Sequence, residues 1–122
     1  MHYQTVFFQT PYEGKPIHSS DLLNTIHHCA ISCNHMTTML YKKQDLFGRG
    51  EQLSNLQDCA EICGLMVNYL ALSSKFSKVF SSVCASVCEV CGSTCMQFPD
   101  QASQQCGQTC LICAKACQQL TA

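Results

Sequence analysis

Tryptophan is absent from the 122-residue chain, proline occurs three times, and charged residues make up only 12%. Each scarcity excludes something. Seven Lys and Arg stand against eight Asp and Glu, a net charge of −1. No basic surplus is available to neutralise a nucleic-acid backbone or an anionic bilayer, so neither is expected as a partner. No apolar run approaches the ~20 residues of a membrane span. The start of the chain, Met1-His2-Tyr3-Gln4-Thr5-Val6-Phe7-Phe8, has neither the basic n-region nor the apolar h-region of a secretory leader. The expected compartment is therefore the cytoplasm, where thiols stay reduced; a leader removed beforehand would make the protein an exported one. Paired carboxylates near the reactive side chains are also missing, since Glu61 and Glu89 stand alone. No catalytic residues are assigned, and the expectation is that this is not an enzyme.

What the chain has in abundance is cysteine. Twelve occur, near one residue in ten, far above ordinary usage. They fall in four sets: Cys29/Cys33, Cys59/Cys63, Cys84/Cys88/Cys91/Cys95 and Cys106/Cys110/Cys113/Cys117. The longer sets step by four, three and four. At about 100° per residue these steps keep all four side chains on one stripe of an α-helix.

The flanking residues extend each stripe into a hydrophobic seam. Ser19-Ser20-Asp21 is a helix-start cluster. After it, Leu22, Ile26, Cys29, Cys33, Met36 and Leu40 form the first seam, and Gly48 predicts that the helix ends near Phe47. Leu56, Cys59, Cys63, Met66 and Leu70 repeat the pattern on a second helix, from about Glu51 to Leu72. Ser73-Ser74 caps a third, carrying Phe76, Phe80 and the next four cysteines and stopping at Phe98-Pro99-Asp100. A fourth runs from about Gln101 to Gln119 with Leu120 at its end. Pro11, Gly14 and Pro16 make residues 1–18 an irregular lead-in. Residues 19–122 are thus expected to form an all-α, antiparallel four-helix bundle with a cysteine-lined core. Folding about positions 48, 73 and 99 places Cys33, Cys63, Cys84 and Cys117 at one height. Leu22, Ile26, Leu40, Leu56, Leu70, Phe76, Phe80 and Leu120 would close the two ends. The surplus apolar residues of the third helix, Val79, Val83, Val87 and Val90 among them, suit an interface between copies.

Packing does not account for twelve seam cysteines, because Leu or Ile fills a core better. A disulfide framework suits smaller, secreted chains. Cys88-x-x-Cys91 and Cys110-x-x-Cys113 contain an iron–sulfur element, but ferredoxin cysteines lie on wrapping loops at other spacings. Zinc would use four thiols per ion. Cu(I) is selected by thiolate and thioether and needs only two or three sulfurs. The reading is a store of many Cu(I) ions held by all twelve cysteines. The alternatives are an iron–sulfur or dithiol electron-transfer protein, or a zinc- or disulfide-stabilised interaction module. His35, Met36 and Met39, with Met66 at the equivalent place on the second helix, are candidate residues for admitting metal. His27 and His28 read as solvated.

The four-helix arrangement of Cys-x-x-x-Cys pairs over residues 20–120 resembles the bacterial four-helix-bundle copper storage proteins. That resemblance implies many Cu(I) ions inside the bundle, a Met/His mouth and a homo-oligomer, often a tetramer. A copper chaperone or transporter would be the loading partner. Two cysteines on each of the first two helices imply a smaller store than in the cysteine-richest members.

Overall fold

The computed structural model describes residues 20–121, and the expected lead-in at 1–18 lies outside them. Four helices follow one another: α1 (Ser20–Lys42), α2 (Gly50–Ala71), α3 (Ser77–Met96) and α4 (Gln101–Thr121). The described residues contain no strand. Connections at 43–49, 72–76 and 97–100 are too short for a crossover, so consecutive helices run antiparallel. Each packs on its neighbour in the chain, and α4 closes the ring against α1.

The seams are the interior. Ile26, Cys29, Cys33, Met36 and Leu40 are buried on α1, and Leu56, Cys59, Cys63, Met66 and Leu70 on α2. Each buried aliphatic contributes about 1.5–3 kcal/mol, and these residues bracket the cysteines along the axis. Asp100 caps α4, its Oδ2 accepting the Ser103 N–H at 3.0 Å. Gln104 reaches back and donates to the Met96 and Phe98 carbonyls at 2.9 and 2.7 Å, covering the end of α3.

Two boundaries differ from expectation. The first helix stops at Lys42, five residues before Phe47. Gln44 adopts φ 55°. The Asp45 N–H bonds the Leu40 carbonyl at 3.0 Å and the Gln44 N–H the Tyr41 carbonyl at 3.1 Å, a Schellman ending. Glycine ordinarily announces this turn, and here glutamine makes it. Phe47 is left 99% exposed. Ser73, at φ 52°, closes α2 in the same way, while Ser74 faces the next helix, its Oγ accepting the Phe76 N–H at 3.1 Å. α3 begins only at Ser77. Phe76 precedes it, half exposed, and does not close the bundle. The inward places three and seven residues before Cys84 belong to Ser81 and Ser77, both buried. Ser81 donates to the Cys117 carbonyl at 2.6 Å and Ser77 to the Tyr69 carbonyl at 3.3 Å. Phe80 is half-buried, edge-on to Tyr69 with centroids 5.0 Å apart.

α3 and α4 approach most closely where two glycines meet. A Cβ on Gly92 would lie 2.7 Å from Leu111 Cγ and 2.9 Å from the Gly107 carbonyl, and one on Gly107 would lie 2.7 Å from Met96 Sδ. α3 is also long and apolar enough, by length and composition, to cross a membrane. Ser, Lys, Glu and Thr interrupt its apolar runs, and its mean hydropathy is high because cysteine itself is apolar. The apolarity faces two ways. Cys84, Cys88, Cys91 and Cys95 point into the bundle, while Val79, Val83 and Val90 are exposed outside.

Candidate metal centre

All twelve cysteines are free and buried, and all lie within helices. Their helical steps are unbroken, so none sits on a wrapping loop. Eleven have no solvent exposure; Cys106 has 6%.

The sulfurs form one connected file. Cys33 Sγ lies 3.5 Å from Cys110, which is 3.8 Å from Cys91, 3.9 Å from Cys29 and 4.0 Å from Cys59. Cys59 is 3.7 Å from Cys29 and 3.6 Å from Cys88. Cys88 continues to Cys63 at 3.5 Å, Cys113 at 3.7 Å and Cys84 at 3.9 Å. Cys63 meets Cys84 at 3.8 Å and Cys113 at 3.9 Å. Three groups lie close enough to share an ion: Cys29/Cys33/Cys59/Cys110, Cys29/Cys63/Cys88/Cys113 and Cys84/Cys113/Cys117.

These separations suit a soft cation. Four sulfurs at about 2.3 Å from a metal stand about 3.8 Å apart at tetrahedral angles. The observed edges straddle that value before any side chain moves. Donor type, spacing and burial therefore fit thiophilic metal.

The heights differ from the simple folding scheme. Cys63, Cys84 and Cys117 do gather at one end, but Cys33 is not with them; it meets Cys110, and Cys29 takes the place beside Cys63, Cys88 and Cys113. The early stop of α1 is the cause. It moves the centre of the first hairpin back by two to three residues, which shifts the paired positions by more than a turn.

The thiols' own S–H groups set the balance of charge between them. Cys84 is held below the ordinary thiol range by hydrogen bonds from Cys113, then Cys117 and Cys63. Cys117 is pushed up by its bonds to Cys113 and Cys84, and burial adds to this. Cys106 is held down by Cys110, Cys33 and Cys95. Cys33 is pushed up by its bonds to Cys106 and Cys110, with burial again adding. A sulfur that collects S–H donors ionises easily, and those donors then resist losing their protons. A bound cation would take the place of the proton on each sulfur that it meets.

One end of the file meets a polar plug that the seam reading passed over. Arg49 is 6% exposed, and Gln52 and Ser103 are fully buried. Arg49 donates to Gln52 Oε1 at 2.8 Å, Ser103 Oγ at 3.2 Å, Asp45 at 2.9 Å and Asp100 at 3.1 Å. Its guanidinium lies 4.3 Å from the Phe98 ring centroid. Gln52 Nε2 donates to Ser103 Oγ at 3.0 Å and to Cys95 Sγ at 3.4 Å. The signal was present: four residues before Leu56 and three before Cys106, the seams carry polar side chains.

Among the other candidates, His35, Met36 and Met39 share a cleft with Cys106. Met66 does not join them; it is fully buried in α2, toward the opposite end. His28, read as solvated, is exposed and also lines that cleft.

Comparison with known proteins follows the same lines. The family model described as copper storage protein matches residues 17–122. The Cu(I)-bound copper storage protein BsCsp3 is 29% identical, with a TM-score of 0.77 over 86% of this chain and 99% of that one. The Nmul_A1745 protein of Nitrosospira multiformis is 28% identical, with a TM-score of 0.74 over 82% and 91%. An uncharacterized cysteine-rich protein of Bacillus subtilis, YhjQ, is 30% identical over 77% of this chain and 87% of its own length. A cysteine-lined bundle, its thiols in one continuous buried file, thus matches this family over nearly its whole length, and the chain belongs to the copper storage proteins.

Proposed function

We propose that all twelve cysteines bind Cu(I) and that the protein is a reservoir, not a catalyst. The carrying observation is the continuity of the file: nine of the thiols meet at 3.5–4.0 Å across four helices, and Cys117 groups with Cys84 and Cys113 at one end. If each ion takes two sulfurs and each sulfur serves two ions, capacity reaches about one Cu(I) per cysteine, roughly a dozen per chain. A catalyst would instead need an open coordination position reached by substrate. Anaerobic titration with Cu(I), followed by metal and protein analysis, should saturate near that ratio. Saturation at one or two ions would sink the storage reading.

The four-thiol group Cys29/Cys63/Cys88/Cys113 supports a second reading, a tetrahedral zinc site. Zinc at four thiols per ion would saturate at about three per chain even if every cysteine took part, so the same titration separates the two metals.

The oligomeric state and cell compartment belong to the same reading. The exposed Phe76, Val79, Val83 and Val90 form an apolar strip along the outside of α3, and we read it as the contact between copies in a homo-oligomer, a tetramer by family analogy. A cytoplasmic location suits twelve unprotected thiols. Delivery by a copper chaperone or transporter suits a metal that is held by exchange between sulfurs.

A further inference from the structure

The storage reading leaves open how an ion reaches eleven fully buried sulfurs. Both ends of the bundle are shut. At one, Arg49, Gln52 and Ser103 are locked by five hydrogen bonds among themselves and to Asp45 and Asp100. At the other, Ile26, Met66 and Leu70 are buried at 0–1% exposure, with Leu22, Phe80 and Leu120 packed against the same core. The side is different. Between α1 and α4 lies a cleft of about 430 Å³, lined among others by His28, His35, Met36, Met39 and Cys106. Cys106, though buried, is the one cysteine with any solvent exposure, and its Sγ points toward the Ser32 carbonyl across the cleft at 3.9 Å. On its inner side it interacts with Cys33, Cys95 and Cys110.

Resting on the storage reading, we propose that Cu(I) enters this bundle laterally, through the α1/α4 cleft, and that Cys106 is the thiol that first captures it. Thioether and imidazole donors are weaker and more exchangeable than thiolate. His35 and Met39 therefore receive the ion from its carrier without retaining it, and the buried Met36 lines the same cleft. Cys106 then forms a Cu–S bond as a carrier–copper bond breaks. Its thiol proton leaves to solvent through the cleft, and copper stays Cu(I) throughout. Cys33 and Cys110 take the ion inward by the same exchange, from where the file runs to Cys84 and Cys117 at the far end.

The test uses the full reduced chain and the coloured Cu(I)–bicinchoninate chelate, with loss of chelate absorbance followed by stopped flow. Cys106→Ser and Cys117→Ser each remove one sulfur, so both should lower capacity by about one ion. Only Cys106→Ser should also slow loading, by about tenfold, equivalent to one exchange step lost from the path. Thr109 also lines the cleft, and Thr109→Phe narrows it while removing no sulfur, so it should slow loading at unchanged capacity. The proposal is overturned if Cys106→Ser loads as fast as Cys117→Ser, if Thr109→Phe loads like the wild type, or if Gln52→Ala, which loosens the plug, accelerates loading. Failure of the storage reading shows separately, as a wild-type capacity of one or two ions.

Discussion

Cys88 and Cys110 each meet four other sulfurs, and replacing Cys88 with serine tests the file at one of these two hubs. Its Sγ touches Cys63, Cys59, Cys113 and Cys84 at 3.5, 3.6, 3.7 and 3.9 Å. In the apo-protein a buried hydroxyl replaces a sulfur that was surrounded by sulfur. An unsatisfied buried hydroxyl costs about 1–3 kcal/mol. Serine has one escape, a bond to the carbonyl four residues back, which Thr25, Thr37, Thr38 and Thr109 already use here. The cost should then fall near the lower limit, about 1 kcal/mol, or about 4 °C in melting temperature for a domain of this size. With copper the penalty grows. Sulfur shared between two ions is a ligand to both, so its loss removes about one ion and weakens its neighbours. Ligand binding raises stability by about 2.7 kcal/mol per site at a hundredfold excess over Kd, so the gap between variant and wild type should widen by several degrees on loading. Circular dichroism melts of the reduced protein, anaerobic, with and without Cu(I), measure both numbers. An equal gap in the two states together with undiminished capacity would refute the assignment of Cys88 as a ligand.

Three further outcomes follow from the same geometry. Replacing Cys91, Cys95, Cys106 and Cys110 together should leave the Cys84/Cys113/Cys117 and Cys29/Cys63/Cys88/Cys113 groups whole and retain about eight ions; complete loss of binding would mean the sites are not a file. Reduced apo-protein should be strongly helical and melt cooperatively, because thiols serve as small apolar side chains and the aliphatics stand without metal; a far-ultraviolet spectrum that becomes helical only on adding copper would contradict this. Acid should loosen the plug. Burial raises the Asp100 carboxyl, but the Ser103 hydrogen bonds and Arg49 outweigh it and hold it below its ordinary 3.8. A depressed carboxylate stabilises the fold above its unfolded value, and the contribution disappears as pH falls through the folded value. Wild type should therefore lose stability below about pH 3.8 more steeply than Asp100→Asn; parallel acid titrations would show that the plug carries no linkage.

Much of this was legible from one residue type. Cysteine at steps of four, three and four names both the helix and its inward face, since periodicity is local and needs no partner. The candidate ligands and the soft metal follow from the same letters, because twelve thiols facing one interior have few other uses. Local chemistry also concealed some features. Gln44 and Ser73 turn the chain with positive φ and carry no glycine to announce it, so the end of α1 was misplaced by five residues and the thiol heights with it.

The tertiary structure decided which sulfurs meet, because register between antiparallel helices depends on where each helix stops, and an error of a few residues exceeds a turn. It also turned Arg49, Gln52 and Ser103, which come from a loop and two helices, into one closed plug. Finally, it left Cys106 beside an open cleft and sealed the other eleven thiols. Sequence period set the stripe on each helix. The gap between α1 and α4 belongs to neither helix alone; it depends on how all four pack.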